Sequence, residues 1–84
     1  MNVITWTPRA AKQLRKLDAH IRAPIYSAIQ ELVEMPGCQN VKRLMNYEYG
    51  YRLRVGQYRV LFDWTVEIRI VEIHEVRKRD ERTY

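Results

Sequence analysis

One cysteine and two histidines, Cys38, His20 and His74, are the only thiol and imidazole groups in this chain. A single cysteine excludes an internal disulfide framework, and three such ligands are too few for the usual structural zinc sets. Glycine is scarce, at Gly37, Gly50 and Gly56, and so is proline, at Pro8, Pro24 and Pro36. So few turn-forming residues leave little room for a many-turned β-sandwich. No apolar run approaches the roughly 18 residues of a membrane span. The first seven residues lack the basic start and apolar stretch of a secretory signal, so a cytoplasmic location is expected. No Gly-rich phosphate loop, metal-ligand spacing or Ser-His-Asp arrangement is visible, so neither metal nor cofactor is expected.

What is abundant is positive charge. Fifteen Lys and Arg face ten Asp and Glu, for a net charge of +5, and eleven of the fifteen are arginines. The guanidinium fork matches phosphate oxygens, so the excess suggests an anionic partner, most simply nucleic acid. On composition alone, a solvated basic surface is the simpler reading, and position has to decide. The 84 residues, 46% hydrophobic and 30% charged, are enough for one small globular domain spanning 1–84.

Asn2 to Trp6 alternates and is rich in β-formers, which predicts a first strand. Thr7-Pro8 then offers an N-cap and a first helical residue. Ala10, Ala11, Leu14 and Leu17 make one apolar face on the helix that follows. Asp18 is a second candidate cap. Ile21, Ile25, Ile29, Leu32 and Val33 predict a helix of about four turns, ending before Met35-Pro36-Gly37. Pro24 inside that pattern leaves two options: a kink there, or a regular helix that begins near Ala23. A short extended piece is expected at Val41 to Leu44. Three strands should follow, Tyr47 to Val55, Tyr58 to Trp64 and Val66 to Val76, with a type II′ turn at Gly56-Gln57 and a reversal at Asp63 to Thr65. The order β-α-α-β-β-β reads as a two-layer α+β domain, an antiparallel sheet packed on one face by a helix hairpin.

Pairing across Gly56-Gln57 sets Val55 against Tyr58, Arg54 against Arg59, Leu53 against Val60 and Arg52 against Leu61. Side chains alternate faces, so Tyr51, Leu53, Val55, Tyr58, Val60 and Phe62 should cover the helices. Arg52, Arg54, Arg59 and Leu61 should then share an open face. Like charges directly opposite each other cost stability, and an anion would relieve the cost. From Lys42 to Arg59 the bases Lys42, Arg43, Arg52, Arg54 and Arg59 meet one acid, Glu48. The tail carries Arg77, Lys78, Arg79 and Arg82 against Asp80 and Glu81, and ends on Tyr84. Basic groups with an interspersed aromatic suit single-stranded RNA. Lys42, Arg43, Arg77, Lys78 and Arg82 are the candidate RNA-binding residues. His74 as a proton carrier, Glu48 as a base, and Tyr47 or Tyr49 as base-stacking rings are each outweighed by a surface or packing role.

The run Tyr49-Gly50-Tyr51-Arg52-Leu53-Arg54-Val55-Gly56-Gln57-Tyr58-Arg59-Val60-Leu61-Phe62 resembles the strand pair of the RelE/ParE toxin superfamily. The closing segment Val76 to Tyr84 resembles that of its RelE branch. The resemblance implies a toxin of a bacterial toxin–antitoxin pair: a metal-independent endoribonuclease that cleaves mRNA in the A site of the small ribosomal subunit. In that chemistry a ribose 2′-OH attacks the adjacent phosphate. It also implies a cognate antitoxin as partner, no membrane and no cofactor. The family's site maps onto Arg52, Arg54, Arg59, Arg79 and Tyr84. Arg52 and Arg54 stand where the best-known member has lysines. Arginine stays protonated in proteins, so neither is assigned as general base. Two alternatives stay open: a ParE-like poison of DNA gyrase that acts by binding, and an inactive RNA-binding relative.

Overall fold

The Thr7-Pro8 pair ends the first strand and starts the first helix as its chemistry dictates. Thr7 Oγ1 accepts from the Ala10 amide at 3.1 Å and also donates to the His74 carbonyl at 3.3 Å, so the cap is tied to the sheet. The computed structural model describes residues 1–79. Its elements are β1 (Val3–Trp6), α1 (Pro8–Arg15), α2 (Ala19–Gln30) with a 3-10 turn over Glu31–Glu34, β2 (Val41–Arg43), β3 (Tyr51–Val55), β4 (Tyr58–Thr65) and β5 (Ile70–Lys78). Helix α2 begins at Ala19 and runs through Pro24, so the regular helix does not wait for Ala23. Asp18 occupies the cap position without a side-chain bond; its backbone carbonyl accepts from Ile21 and Arg22.

The five strands lie in the order β1-β5-β4-β3-β2. The expected antiparallel sheet is corrected to a mixed one: β1 pairs parallel with β5, while the other pairs are antiparallel. The direction of an edge strand depends on where the following helices must lie, and local pattern does not encode that. The extended piece near Val41 is a strand in its own right, so the order becomes β-α-α-β-β-β-β.

Two strand starts fall later than the sequence predicts. β3 begins at Tyr51 rather than Tyr47, because Asn46 adopts a left-handed conformation (φ 56°) and breaks the extended run. The reversal after β4 falls at residues 66–69 rather than Asp63 to Thr65. Asp63 and Trp64 stay paired with Glu72 and Val71, and the turn closes on Arg69 at φ 55°.

The core lies between the helices and one sheet face. Ala10, Leu14, Ile25, Ile29 and Leu32 pack against Leu53, Val60, Phe62, Val71, Ile73 and Val76. Tyr51 stacks on Phe62 at 5.4 Å and meets Trp64 edge-on, which extends the apolar layer toward the sheet end. Asn2 is a buried polar clasp on this layer. Its Nδ2 donates to the Val33 and Met35 carbonyls at 3.1 Å each, and its Oδ1 accepts from Trp64 Nε1 at 2.9 Å. Asn2→Ala would leave the indole N–H and two carbonyls without partners. The variant is expected to lose about 3 kcal/mol in a urea unfolding titration, as unsatisfied buried groups cost about 1–3 kcal/mol each.

Candidate functional site

The β3–β4 hairpin builds the site. Gly56 takes φ 58°, and its neighbour Gln57 has no positive φ, the pattern a type II′ turn needs. The register is the one the turn implies: Arg54 opposite Arg59, Arg52 opposite Leu61, Leu53 opposite Val60. The same cross-strand logic extends the cationic face. Lys42 on β2 lies opposite Arg52, and Arg77 on β5 lies opposite Arg59. A row of five cations therefore crosses four adjacent strands. Among the described residues, Lys42, Arg52, Arg54 and Arg59 form no ion pair. Arg52 Nε is buried without a hydrogen-bond partner. Polar groups in that state are rare in native proteins and point to a role beyond packing.

The face is not open throughout, which corrects the expectation for Arg59 and Leu61. Leu61 is fully buried and Arg59 is only 7% exposed. The Arg59 guanidinium folds back on the hairpin, with Nη1 donating to the Tyr58 carbonyl at 3.2 Å and to the Gly56 carbonyl at 3.4 Å. The segment 44–50, between β2 and β3, is laid against the same side of the sheet. Tyr49 stacks on His74 at 4.6 Å, and the Tyr47 hydroxyl accepts from Arg77 Nη1 at 3.4 Å. The Gly50 amide donates to Asp63 Oδ1 at 2.7 Å and anchors the end of the segment. Arg54 stays exposed and Arg52 is half-buried.

Carboxylates near the row are already engaged. Glu75, opposite Leu61, lies 3.7 Å from Arg9 and 3.8 Å from Arg77. Burial, then the charges of Glu75 and Glu48 and a hydrogen bond to Glu75, push the Tyr49 phenol above its ordinary pKa, so it stays protonated. His74 Nε2 stands 3.1 Å from Asp63 and 3.2 Å from Glu72. It lacks hydrogen-bond alignment to either, so the contact is a close charge arrangement rather than a directed bond. His74 is the extra residue of a β-bulge: Leu61 pairs with Glu75 and Phe62 with Ile73.

The remaining predicted residues divide. Arg43 pairs with Tyr51 and so lies on the helix-side face, exposed at the sheet edge. Lys78 pairs with Tyr58, again on the helix side, and lines a cleft of ≈ 440 Å³ with His20, Ile21 and Pro24. Arg79 is exposed, and its backbone amide donates to the Gln57 carbonyl at 2.6 Å, which brings the strand end to the hairpin turn. Arg82 and Tyr84 lie outside the described residues. The structure thus brings Lys42, Arg52, Arg54, Arg59 and Arg77 onto one face. Sequence reasoning did not join the Tyr49–His74–Glu75 cluster to that row. A signal was present: Val71, Ile73 and Val76 face the core, and the step of three betrays the bulge at His74.

Residues 4–83 match a family model described as the ParE toxin of the type II toxin–antitoxin system parDE. The chain belongs to this toxin family. The wider group is the RelE/ParE superfamily, and the solved structures most like the toxin are of RelE type. A chain of the RelBE2 toxin–antitoxin complex from Mycobacterium tuberculosis is 27% identical with a TM-score of 0.79, covering 93% of this chain and 98% of that one. The isolated Escherichia coli RelE toxin is 22% identical with a TM-score of 0.80, covering 96% and 87%. A chain of the archaeal RelE–RelB complex from Pyrococcus horikoshii is 20% identical with a TM-score of 0.80, covering 98% of both. No curated protein matches the toxin.

Two outcomes follow from the geometry. Arg59→Ala removes a buried side chain that satisfies strand-end carbonyls, and is expected to cost about 1–2 kcal/mol in thermal or chemical unfolding. Arg54→Ala removes an exposed like-charge neighbour and should stay within about 0.5 kcal/mol of the parent. The Cys38 thiol, which donates to the Glu31 carbonyl at 3.3 Å, has its pKa raised by burial and then by Glu31 and Glu34. A raised thiol pKa lowers the thiolate fraction at neutral pH. Iodoacetamide should therefore label Cys38 more slowly than free cysteine at pH ~7, and the gap should close as pH rises.

Proposed function

We propose that this toxin is a RelE-like endoribonuclease that cleaves mRNA on the ribosome. The observation that carries the reading is the unpaired row Arg52, Arg54 and Arg59, with Arg54 held directly opposite Arg59. Like charges are kept together there at a cost, which a phosphate would offset. In the reaction the ribose 2′-oxygen bonds to phosphorus and the bond to the 5′-oxygen breaks. The 2′-OH proton leaves, and a proton is delivered to the 5′-oxygen. The products are a 2′,3′-cyclic phosphate, or its opened 3′-phosphate, and a 5′-hydroxyl. Arg52, Arg54 and Arg59 bind the scissile phosphate and stabilise its growing charge. Arg79 neutralises or protonates the leaving oxygen, and Tyr84 positions or activates the 2′-OH or stacks on a base. The nucleophile belongs to the substrate, so the chemistry calls for no cofactor. The RelBE complexes among the similar structures support a cognate antitoxin as partner, and the cytoplasm as the place where both act.

The second reading is a ParE-like poison of DNA gyrase, favoured by the name of the matching family model. A third is an RNA-binding relative without activity, kept open by arginines at positions where lysine could serve as a base. Primer extension on a translated mRNA, with and without ribosomes, separates them when DNA-damage induction is measured alongside. The expected result is ribosome-dependent cleavage without DNA damage. Truncation after Asp80 should then abolish most cleavage while the chain still folds, because terminal residues contribute little to the core. Arg54→Lys should keep part of the activity. Toxicity with DNA damage and no cleavage, in full-length and truncated chains alike, would falsify the endoribonuclease assignment.

A further inference from the structure

The segment between β2 and β3 does more than roof part of the sheet. With the end of β2 it encloses a cleft of ≈ 370 Å³ lined by Lys42, Arg43, Leu44, Met45, Asn46 and Tyr47. Two cations and one aromatic ring thus share a concave surface at the end of the cationic row. The row reaches the cleft from both sides: Lys42 is the cross-strand neighbour of Arg52, and Tyr47 touches Arg77, the cross-strand neighbour of Arg59.

The segment is also held in place. The Leu44 amide donates to the Gly50 carbonyl at 2.8 Å, and the Gly50 amide donates to Asp63. Tyr49 is clamped on His74, and the Tyr47 ring stands edge-on to Tyr49 at 6.4 Å. Tyr49 carries the packing role. Tyr47 is different: it keeps 36% of its surface exposed although it is tethered to Arg77. A flat ring that is ordered beforehand and still accessible, with cations one backbone step away, has the composition of a base-stacking platform.

We propose that this cleft is a nucleobase subsite. One base of a single-stranded RNA stacks on Tyr47, and the flanking phosphate pairs with Lys42 and Arg43. The adjoining phosphate is thereby led onto Arg52 and Arg54. Tyr47 is a positioning residue for the substrate, and the inference rests on the endoribonuclease reading. Stacking is tolerant of base identity, so the subsite fixes register along the strand more than it selects a sequence.

The test uses the full-length toxin and a short RNA that carries 2′-O-methyl groups throughout, which blocks cleavage, and one 2-aminopurine base. Stacking on Tyr47 quenches the 2-aminopurine fluorescence. The parent and Tyr47→Phe should quench alike and bind within about twofold, whereas Tyr47→Leu should lose the quenching and bind about tenfold more weakly. Tyr47→Trp, which enlarges the ring, should quench at least as strongly and keeps the test decisive if Tyr47→Leu fails to fold. Absence of quenching by the parent overturns the subsite. So does quenching by Tyr47→Leu equal to the parent's, and so does equal loss in Tyr47→Phe and Tyr47→Leu, which would make the hydroxyl bond to Arg77 the whole role. Primer extension on ribosomes runs in parallel. Cleavage by the parent with unaltered quenching in Tyr47→Leu removes the subsite and leaves the enzyme. Tyr47-dependent quenching without cleavage removes the enzyme and leaves an RNA-binding subsite.

Discussion

The pleat of the β3–β4 hairpin is the constraint on which the site depends. Leu53, Val60 and Phe62 must face the helices, because nothing else in a chain this small can fill that layer. Period-two alternation then forces Arg52, Arg54 and Arg59 to the opposite side, whatever the electrostatic cost. A register slip of one residue would bury the guanidinium groups and expose the core. The apolar layer therefore holds the cations together more firmly than any local bond could, and it leaves their charges available.

The short segment after β2 sets how that face meets solvent. It covers the sheet around Leu61 through Tyr49 and His74, and it engages Glu75, the carboxylate nearest the row. With Glu75 drawn to Arg9, Arg77 and Tyr49, the cations toward the hairpin tip keep their charge unneutralised. The bulge at His74 belongs to the same design. It lets Ile73 and Val76 both turn to the core while Glu75 and His74 are presented to the covering tyrosines.

Much of this was legible in the residue order, because the relevant interactions are short in range. The Thr7-Pro8 helix start, the Gly56-Gln57 turn and the pairing of Arg54 with Arg59 follow from neighbouring residues, and all three stand in the structure. The features that escaped depend on distant partners. The parallel pairing of β1 with β5 joins the two ends of the chain. The burial of Arg59 and Leu61 shows that the face opposite the helices is not simply open, since a segment outside the hairpin also lies against it. Lys78, grouped with the other tail cations by composition, stands on the opposite side of the sheet from Arg77, because a single residue step reverses direction in a strand.

A surface of unneutralised cations also makes the fold a partner in its own recognition. Whatever anion settles on Arg52 and Arg54 relieves a repulsion that the empty protein carries, so occupancy and folding stability are thermodynamically linked. The unliganded chain is then the least stable member of its own set of complexes. Its lifetime in a cell full of proteases would be set by how much of the time that face is covered, which ties the abundance of the toxin to the presence of its ligands.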